Sequence, residues 1–332
     1  MRIGTNPEKD CKLDLSSGIH RVIIPVYIPH QEGYFKDALC ILKICLDSLL
    51  ATTRRDTRIT LIANGCCPDA VKLLISYAET GKVDQLVIHK ANLGKVNAII
   101  GVARGCFEPL LTFADADVMF RPLWEKAMIE VFAVFPQAGF VGLFPATLEV
   151  SWHCSSAAIF GAVSKGWLRY KKVVDDEDIY RFARSIGAPD RYKPEQLAHQ
   201  LVAENKAGIA CVGGGHFACT IRREFLAFTP SGPSTAAVSG GSEIRWLDEP
   251  PDKAGLWRLS TTRAVAWHLG NVLEPWMNEE LSRLQNSQPQ ASAETLPVPK
   301  PKRSWLPLVI PWRLRQRFVP RLAKLFLKHK GK

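Results

Sequence analysis

Four apolar runs in order decide the fold: R-V-I-I-P-V-Y (21–27), R-I-T-L-I-A (58–63), V-D-Q-L-V-I-H (83–89) and P-L-L-T-F-A (109–114). They are short and rich in β-branched residues, and most are nearly continuous in apolar character, as strands buried on both faces are. Helical spacing fills the gaps. Leu39, Leu42, Leu46 and Leu49 mark a helix over 35–50, and further helices are predicted over 69–79 and 91–104. The alternation predicts an α/β fold with a mostly parallel sheet and helices on both faces. Sites in such sheets lie at the carboxyl ends of the strands, which places Tyr27, Asn64, His89 and Asp115 on one rim.

Beyond the fourth run stands T-F-A-D-A-D-V-M-F (112–120). Asp115 and Asp117 are two residues apart in an extended segment, so both side chains can address one ion. Hard divalent cations such as Mg²⁺ or Mn²⁺ take one or two carboxylates together with substrate phosphates. Two loop aspartates capping the next turn before Pro122 would look the same in isolation. Their place after four ordered strands favours the metal reading.

In these motifs, taken in order, the chain resembles the family 2 glycosyltransferases over roughly residues 21–271, more closely before Phe120. The resemblance implies a GT-A-like (Rossmann-like) fold and transfer of a sugar from a nucleotide diphospho-sugar to an acceptor hydroxyl, with inversion and a divalent metal. By position it implies Pro25, Val26 and Tyr27 beside the nucleobase, Asp115 toward the ribose and sugar, and Asp117 on the metal. Asn64 stands where the family commonly has an acid. Asn92, Gly94 and Lys95 match an N-x-G-K segment. From the residues alone, Lys95 near a helix start can meet a phosphate or be a solvated lysine, and Asn92 can simply cap the helix.

The second half is less regular. Helices are expected over 175–186, with an acidic first turn, and over 189–205. Residues 229–241, rich in Gly, Ser and Pro, read as a mobile loop. Transfer to a hydroxyl needs a carboxylate that takes its proton. The resemblance implies an acidic pair late in the domain, matched by Asp248 and Glu249, followed by Gly255 and His268. Pro250 and Pro251 interrupt the expected helix, so Asp252 stays a candidate base beside Asp248 and Glu249, with Asp248 favoured. His268 would complete the metal shell or serve as a hydrogen-bonded structural residue. Gly213, Gly214 and Gly215 are not followed by G-K-[S/T], so they are no phosphate loop. Arg222 and Arg223 read as solvated surface, while Trp152 and His153 suit either a sugar face or the core.

The chain has 332 residues, 47% hydrophobic and 23% charged, a globular composition. Its net charge of +11 is equalled by the eleven lysines and arginines between Lys300 and Lys332, a segment without acids. The body is therefore neutral, which argues against a nucleic-acid partner. No window reaches the ~18 apolar residues of a spanning helix. The polar first ten residues lack a secretory core and point to the cytoplasm. Nine cysteines without a C-x-x-C pair read as reduced structural thiols.

In the tail, Leu314, Phe318, Leu322, Leu325 and Phe326 form a stripe flanked by Arg313, Arg317, Arg321, Lys324 and Lys328. That pattern suits an interfacial helix on an anionic membrane surface, or an amphipathic helix packed on the body. The expected organisation is an N-terminal extension (1–20), a nucleotide-sugar-binding half (21–150), an acceptor-binding half (151–284), a linker (285–301) and a basic tail (302–332). The expected partners are a nucleotide diphospho-sugar, a saccharide or lipid-linked saccharide acceptor of the cell envelope, and the inner membrane face. A sugar nucleotidyltransferase should carry a Gly-rich, Arg-containing signature after the first strand, and I-P-V-Y-I-P-H-Q (24–31) has none. A non-catalytic saccharide- or membrane-binding module is the other alternative.

Overall fold

The computed structural model describes residues 1, 3–12, 18–145, 153–286, 298–303 and 309–317. Its first part alternates β1 (His20–Val26), α1 (Ala38–Thr52), β2 (Arg58–Asn64), α2 (Pro68–Glu79), β3 (Gln85–His89), α3 (Lys95–Ala103) and β4 (Leu110–Ala114). There follow β5 (Val118–Phe120), α4 (Trp124–Val134), β6 (Ala138–Gly142), α5 (Ser155–Ile159), β7 (Leu168–Lys171), α6 (Asp176–Ser185) and α7 (Pro194–Ala198). The remaining elements are β8 (Gln200–Asn205), β9 (Gly208–Val212), β10 (Ala218–Arg222), α8 (Glu249–Lys253), β11 (Trp257–Ser260), β12 (Ala266–His268) and α9 (Pro275–Asn286).

One ten-stranded sheet has the order β3-β2-β1-β4-β10-β6-β11-β9-β8-β7. The four runs read from the sequence are its parallel end, since β1 pairs in parallel with both β2 and β4, and β2 with β3. Val22, Ile24, Leu61 and Leu110 are fully buried and pack with α1 and α2 on one face, while Ile23, Ile62, Leu111 and Phe113 meet α3 on the other. Continuous apolar strands thus bury both faces. Farther along, β10 runs antiparallel to β4 and β6, and β7, β8 and β9 form an antiparallel edge. The sheet crosses the expected boundary near residue 150, because β6 pairs with both β10 and β11.

The helix expected over 189–205 is replaced by the short α7 and by β8. Turn chemistry decides this. Asn205 accepts from the amides of Ala207 and Gly208 and folds N-K-A-G into a hairpin with β9. The helix expected over 175–186 is present as α6, capped by the Asp175 side chain, which accepts from the Glu177 amide. Residues 229–241, read as mobile, are fastened to α3. Ala237 O accepts from the Lys95 amide, Ser234 exchanges two bonds with the Asn97 side chain, and Pro230 O accepts from Arg104.

Two pairings place the residues that matter below. The small antiparallel sheet of β5 and β12 sets His268 opposite Val118, next to Asp117. The register of β10 on β4 sets Ala218 opposite Ala114, and Phe217 O accepts from the Asp115 amide at 2.7 Å. On the far side, α9 packs Met277, Leu281 and Leu284 on Ile41 and Ile44 of α1. Arg222, expected on the surface, is buried: it donates to Ala138 O and Pro299 O and stacks over Phe132.

The root of the tail docks on the body. Asp252 is 1% exposed and accepts from Ser155 Oγ, the Ser156 amide, Trp312 Nε1 and Gln316 Nε2. Arg315, equally buried, donates to the Ser156 hydroxyl and to Asp252 O. His153 stacks on Trp312 at 5.9 Å. Stretches 304–308 and 318–332 of the predicted amphipathic tail, most of the linker 285–301 and Trp152 lie outside the described residues. Removing the Asp252 carboxylate strands a buried guanidinium and several donors, so Asp252→Ala is expected to cost about 3–5 kcal/mol of stability. Chemical denaturation of the full chain measures it.

Candidate active site

A cavity of about 710 Å³ opens at the carboxyl ends of β1, β2 and β4. Its wall takes Pro25, Val26 and Tyr27 from β1 and the residue after it, Asn64 from β2, and Asp115 and Asp117 from the segment after β4. Asn92 and Lys95 enter before and at the start of α3, and His268 from the end of β12. The fold therefore gathers nine of the sequence-derived residues in one place. Tyr27, Tyr34 and Phe35 give one end an aromatic lining, with Phe35 edge-on to both tyrosines. Tyr27 is 42% exposed, so its ring is available to a planar ligand.

Asn64 and Asn92 line this end but spend their amides on each other and on the loop. Asn64 Nδ2 donates to Asn92 Oδ1 at 2.9 Å, and Asn64 Oδ1 accepts from the Leu93 amide. Asn92 Oδ1 also accepts from the Gly94 amide, so it braces the turn and does not cap α3, whose N-cap is Gly94. Gly65, at φ +80°, lets this loop close on β2, because a Cβ there would lie 2.6 Å from Asn92 N.

Lys95 lines the cavity as one member of an ion-paired group rather than as a solvated lysine. Its ammonium lies 2.5 Å from Asp115 and 3.7 Å from Glu243. Burial acts to lower its pKa, but Asp115 and then Glu243 outweigh burial, and the group stays firmly charged. Lys95 thereby stands between the Asp-x-Asp segment and Glu243.

Asp117 lies 3.5 Å from His268, carboxylate Oδ2 to Nε2. The Ser185 hydroxyl gives its single hydrogen to Phe182 O, so at 3.0 Å it accepts from His268 Nδ1–H. In neutral imidazole this leaves the Nε2 lone pair facing a carboxylate. Asp117 Oδ1 is also buried without a hydrogen-bond partner. Burial pushes the Asp117 carboxyl above its usual range, with Asp115 adding to it, against the lowering pull of His268. Opposed acceptors and an orphaned oxygen fit a divalent cation with oxygen and imidazole ligands. Among the described residues, no group of three or more His, Cys, Asp or Glu side chains is gathered as a complete metal shell. Further ligands would come from the substrate and water.

The acidic pair expected to supply the base does not line the cavity. Asp248 is 6% exposed, its Oδ1 accepts from Arg258 at 3.0 Å, and its Oδ2 faces His216 Nδ1 at 3.5 Å. Glu249 pairs with Lys253 at 2.6 Å, and Asp252 holds the tail root. Asp178, in the acidic first turn of α6, accepts from Trp267 Nε1 and is likewise committed.

A third carboxylate in the cavity wall, beside Asp115 and Asp117, is Glu243, which is not among the residues singled out from the sequence. It follows the Gly240–Gly241 turn and directly precedes a π-helical segment, Ile244–Asp248. Such local departures from α geometry frequently accompany functional sites. An acid opening a helical segment straight after a Gly-rich loop was the signal available. Burial acts to raise its carboxyl, but Lys95 and then His216 outweigh it, so Glu243 sits below its usual range.

Residues 22–186, roughly half of the chain, match the Glycosyl transferase family 2 model. No curated protein matches the chain significantly. Among solved structures, S. aureus TarS 1–349 in complex with UDP-GlcNAc is similar at 12% identity, over 38% of this chain and 34% of that one, with TM-score 0.31. The mannosyltransferase PcManGT from Pyrobaculum calidifontis, in complex with GDP-Man and Mn²⁺, is similar at 14% identity over 97% and 78% of the two chains, with TM-score 0.44. GalNAc-T7 with UDP, GalNAc and Mn²⁺ matches at 16% identity over 78% and 45%, with TM-score 0.45. The chain thus spans about a third of the TarS chain.

The α/β fold and the family match over residues 22–186 agree on the class of this domain. The chain carries a family 2 glycosyltransferase domain.

Proposed function

We propose that the chain transfers a sugar from a nucleotide diphospho-sugar to an acceptor hydroxyl, with inversion. The observation that carries this is the convergence in one cavity of an aromatic end, the Asp115–Asp117 segment with His268, and Glu243. The nucleobase lies against Pro25, Val26 and Tyr27. Asp115, held by Lys95, faces the ribose and sugar. Asp117 and His268 would hold Mn²⁺ or Mg²⁺, which when bound would supply positive charge for a departing diphosphate. Glu243, ionised because Lys95 holds its pKa down, takes the acceptor's proton. As the acceptor oxygen bonds to the anomeric carbon, the bond from that carbon to the diphosphate breaks, and its electron pair leaves on the phosphate. Transfer in this single displacement inverts the anomeric centre.

The test is release of nucleotide diphosphate from a panel of UDP- and GDP-linked hexoses, with chelated protein and with Mn²⁺ or Mg²⁺ restored. Metal-dependent release from at least one donor is expected, and no release from any donor would sink the proposal.

The acceptor class follows from the tail. Its uniform positive charge and apolar stripe favour an anionic leaflet, each basic residue adding up to ~1 kcal/mol near the surface. Among the described residues no helix is long and apolar enough to cross a membrane. A peripheral enzyme on the inner face of the cell membrane, working on lipid-linked or envelope saccharides, combines these features. Because 309–317 brace the body, the informative truncation ends at Arg317. Vesicles containing phosphatidylglycerol should sediment the full chain and lose most of the truncated form. Equal sedimentation of both would refute the anchor.

A further inference from the structure

Helix α6 carries Arg181, Arg184 and Ser185 at positions i, i+3 and i+4, so the three share one face, while Ile179 and Ala183 on the other side are buried. With Glu274 and Trp276, just before and within the first turn of α9, that face forms a second recess of about 280 Å³. His268 belongs to the wall of both the recess and the main cavity, so the two adjoin. The roles assigned to the main cavity leave this recess unused.

The Arg181 guanidinium is held 4.5 Å from the rings of both Trp267 and Trp276, which stand edge to face at 5.9 Å. Trp267 is itself fixed by Arg121 over its ring and by Asp178, which accepts from its Nε1. Stacking of this kind sets the position of the guanidinium. Yet Arg181 makes no side-chain hydrogen bond or ion pair among the described residues, and its Nε is buried without a partner. Arg184 gives only Nη2 to Glu177, and Glu274 commits only Oε2, to Trp276 Nε1. The recess therefore offers donors from two arginines beside an acceptor from Glu274. Mixed charge suits neither a bare anion nor a cation. It suits a polyol, whose hydroxyls both donate and accept, with indole carbon nearby for the C–H face of a sugar. The volume lies just under the ~300 Å³ at which small-molecule sites begin, room for one sugar ring.

We propose that this recess is a saccharide subsite that holds the second ring of the acceptor, so that the preferred acceptor is a chain of two or more sugars. This rests on the transferase reading and adds the acceptor's length to it. A nucleotide diphospho-sugar brings into the main cavity the sugar that is transferred, so a further ring beyond His268 belongs to the acceptor.

The test titrates the full chain, with Mg²⁺ present, with a panel of hexose di- and trisaccharides and their parent monosaccharides, and reads dissociation constants by saturation-transfer NMR. At least one chain is expected to bind about tenfold more tightly than its monosaccharide, the gain from hydrogen bonds to charged groups. Arg181→Met and Glu274→Ala should each remove most of that gain. Glu274 is exposed, so its variant decides the matter where loss of a guanidinium from between two indoles unfolds the protein, which thermal melting shows. In parallel, nucleotide diphosphate release by the unmodified protein is followed with UDP- and GDP-linked hexoses and the same saccharides, and acceptor KM should fall with chain length. Equal binding of chains and monosaccharides, or a preference for chains that survives in the folded variants, overturns the subsite and leaves the transferase reading intact. A preference for chains in a protein that releases no nucleotide diphosphate overturns the transferase reading, and the acceptor assignment with it.

Discussion

Glu243→Gln is expected to lower kcat for transfer by about 10²–10⁴-fold, the usual contribution of a positioned general base. Donor KM should change little, because the side chain meets Lys95 and Ser242 rather than the aromatic end. Lys95 is retained and keeps its partner Asp115, so the fold should survive. The pH profile carries the same signature. Since Lys95 and His216 hold the Glu243 carboxyl below its ordinary value, it remains ionised as pH falls. The acid limb of kcat/KM should therefore lie on the acidic side of the usual glutamate range and vanish in the variant. Steady-state rates from strongly acidic to neutral pH measure both effects. The parallel change Glu249→Gln should be nearly silent, because Glu249 serves a pair with Lys253 outside the cavity.

Asp117→Asn should be at least as damaging, with a fall in turnover of roughly 10³-fold from losing charge at the metal. Its effect on stability has the opposite sign. The folded-state pKa of Asp117 is raised above its unfolded value, so the folded protein binds this proton more tightly. That contribution favours folding at low pH and is lost as pH rises through the raised pKa. At neutral pH the ionised carboxylate is therefore a burden on the metal-free protein, and a neutral amide removes it. Metal-free Asp117→Asn should melt above metal-free wild type, whereas Mn²⁺ should raise the melting temperature of wild type only. A variant that loses activity while gaining thermal stability separates a functional carboxylate from a structural one.

The legible and illegible parts of this molecule divide along physical lines. Strands β1, β2 and β4 were readable because burial on both faces makes every residue apolar, and the Asp115–Asp117 pair because it ends such a strand. His268 was readable through its late position, but its orientation depends on a Ser185 hydroxyl remote in sequence. Glu243 carries only a weak local signal, its place straight after the Gly240–Gly241 turn. Its partner Lys95 stands on α3, and only the fastening of 229–241 to that helix brings the two together. Asp248 and Asp252 were overread for the converse reason. Acids beside two prolines look like a surface turn or a catalytic pair, while in the fold they are buried and bonded to Arg258 and to the tail root. The sequence leaves open whether the tail packs on the body, and the described residues 309–317 do so.

The most direct measurement is a crystal structure with a nucleoside diphosphate and Mn²⁺. The account predicts Mn²⁺ between Asp117 and His268, the base against Tyr27 and the diphosphate bridging them within this cavity. Metal or nucleotide bound elsewhere, with Asp117 and His268 uncoordinated, would contradict it.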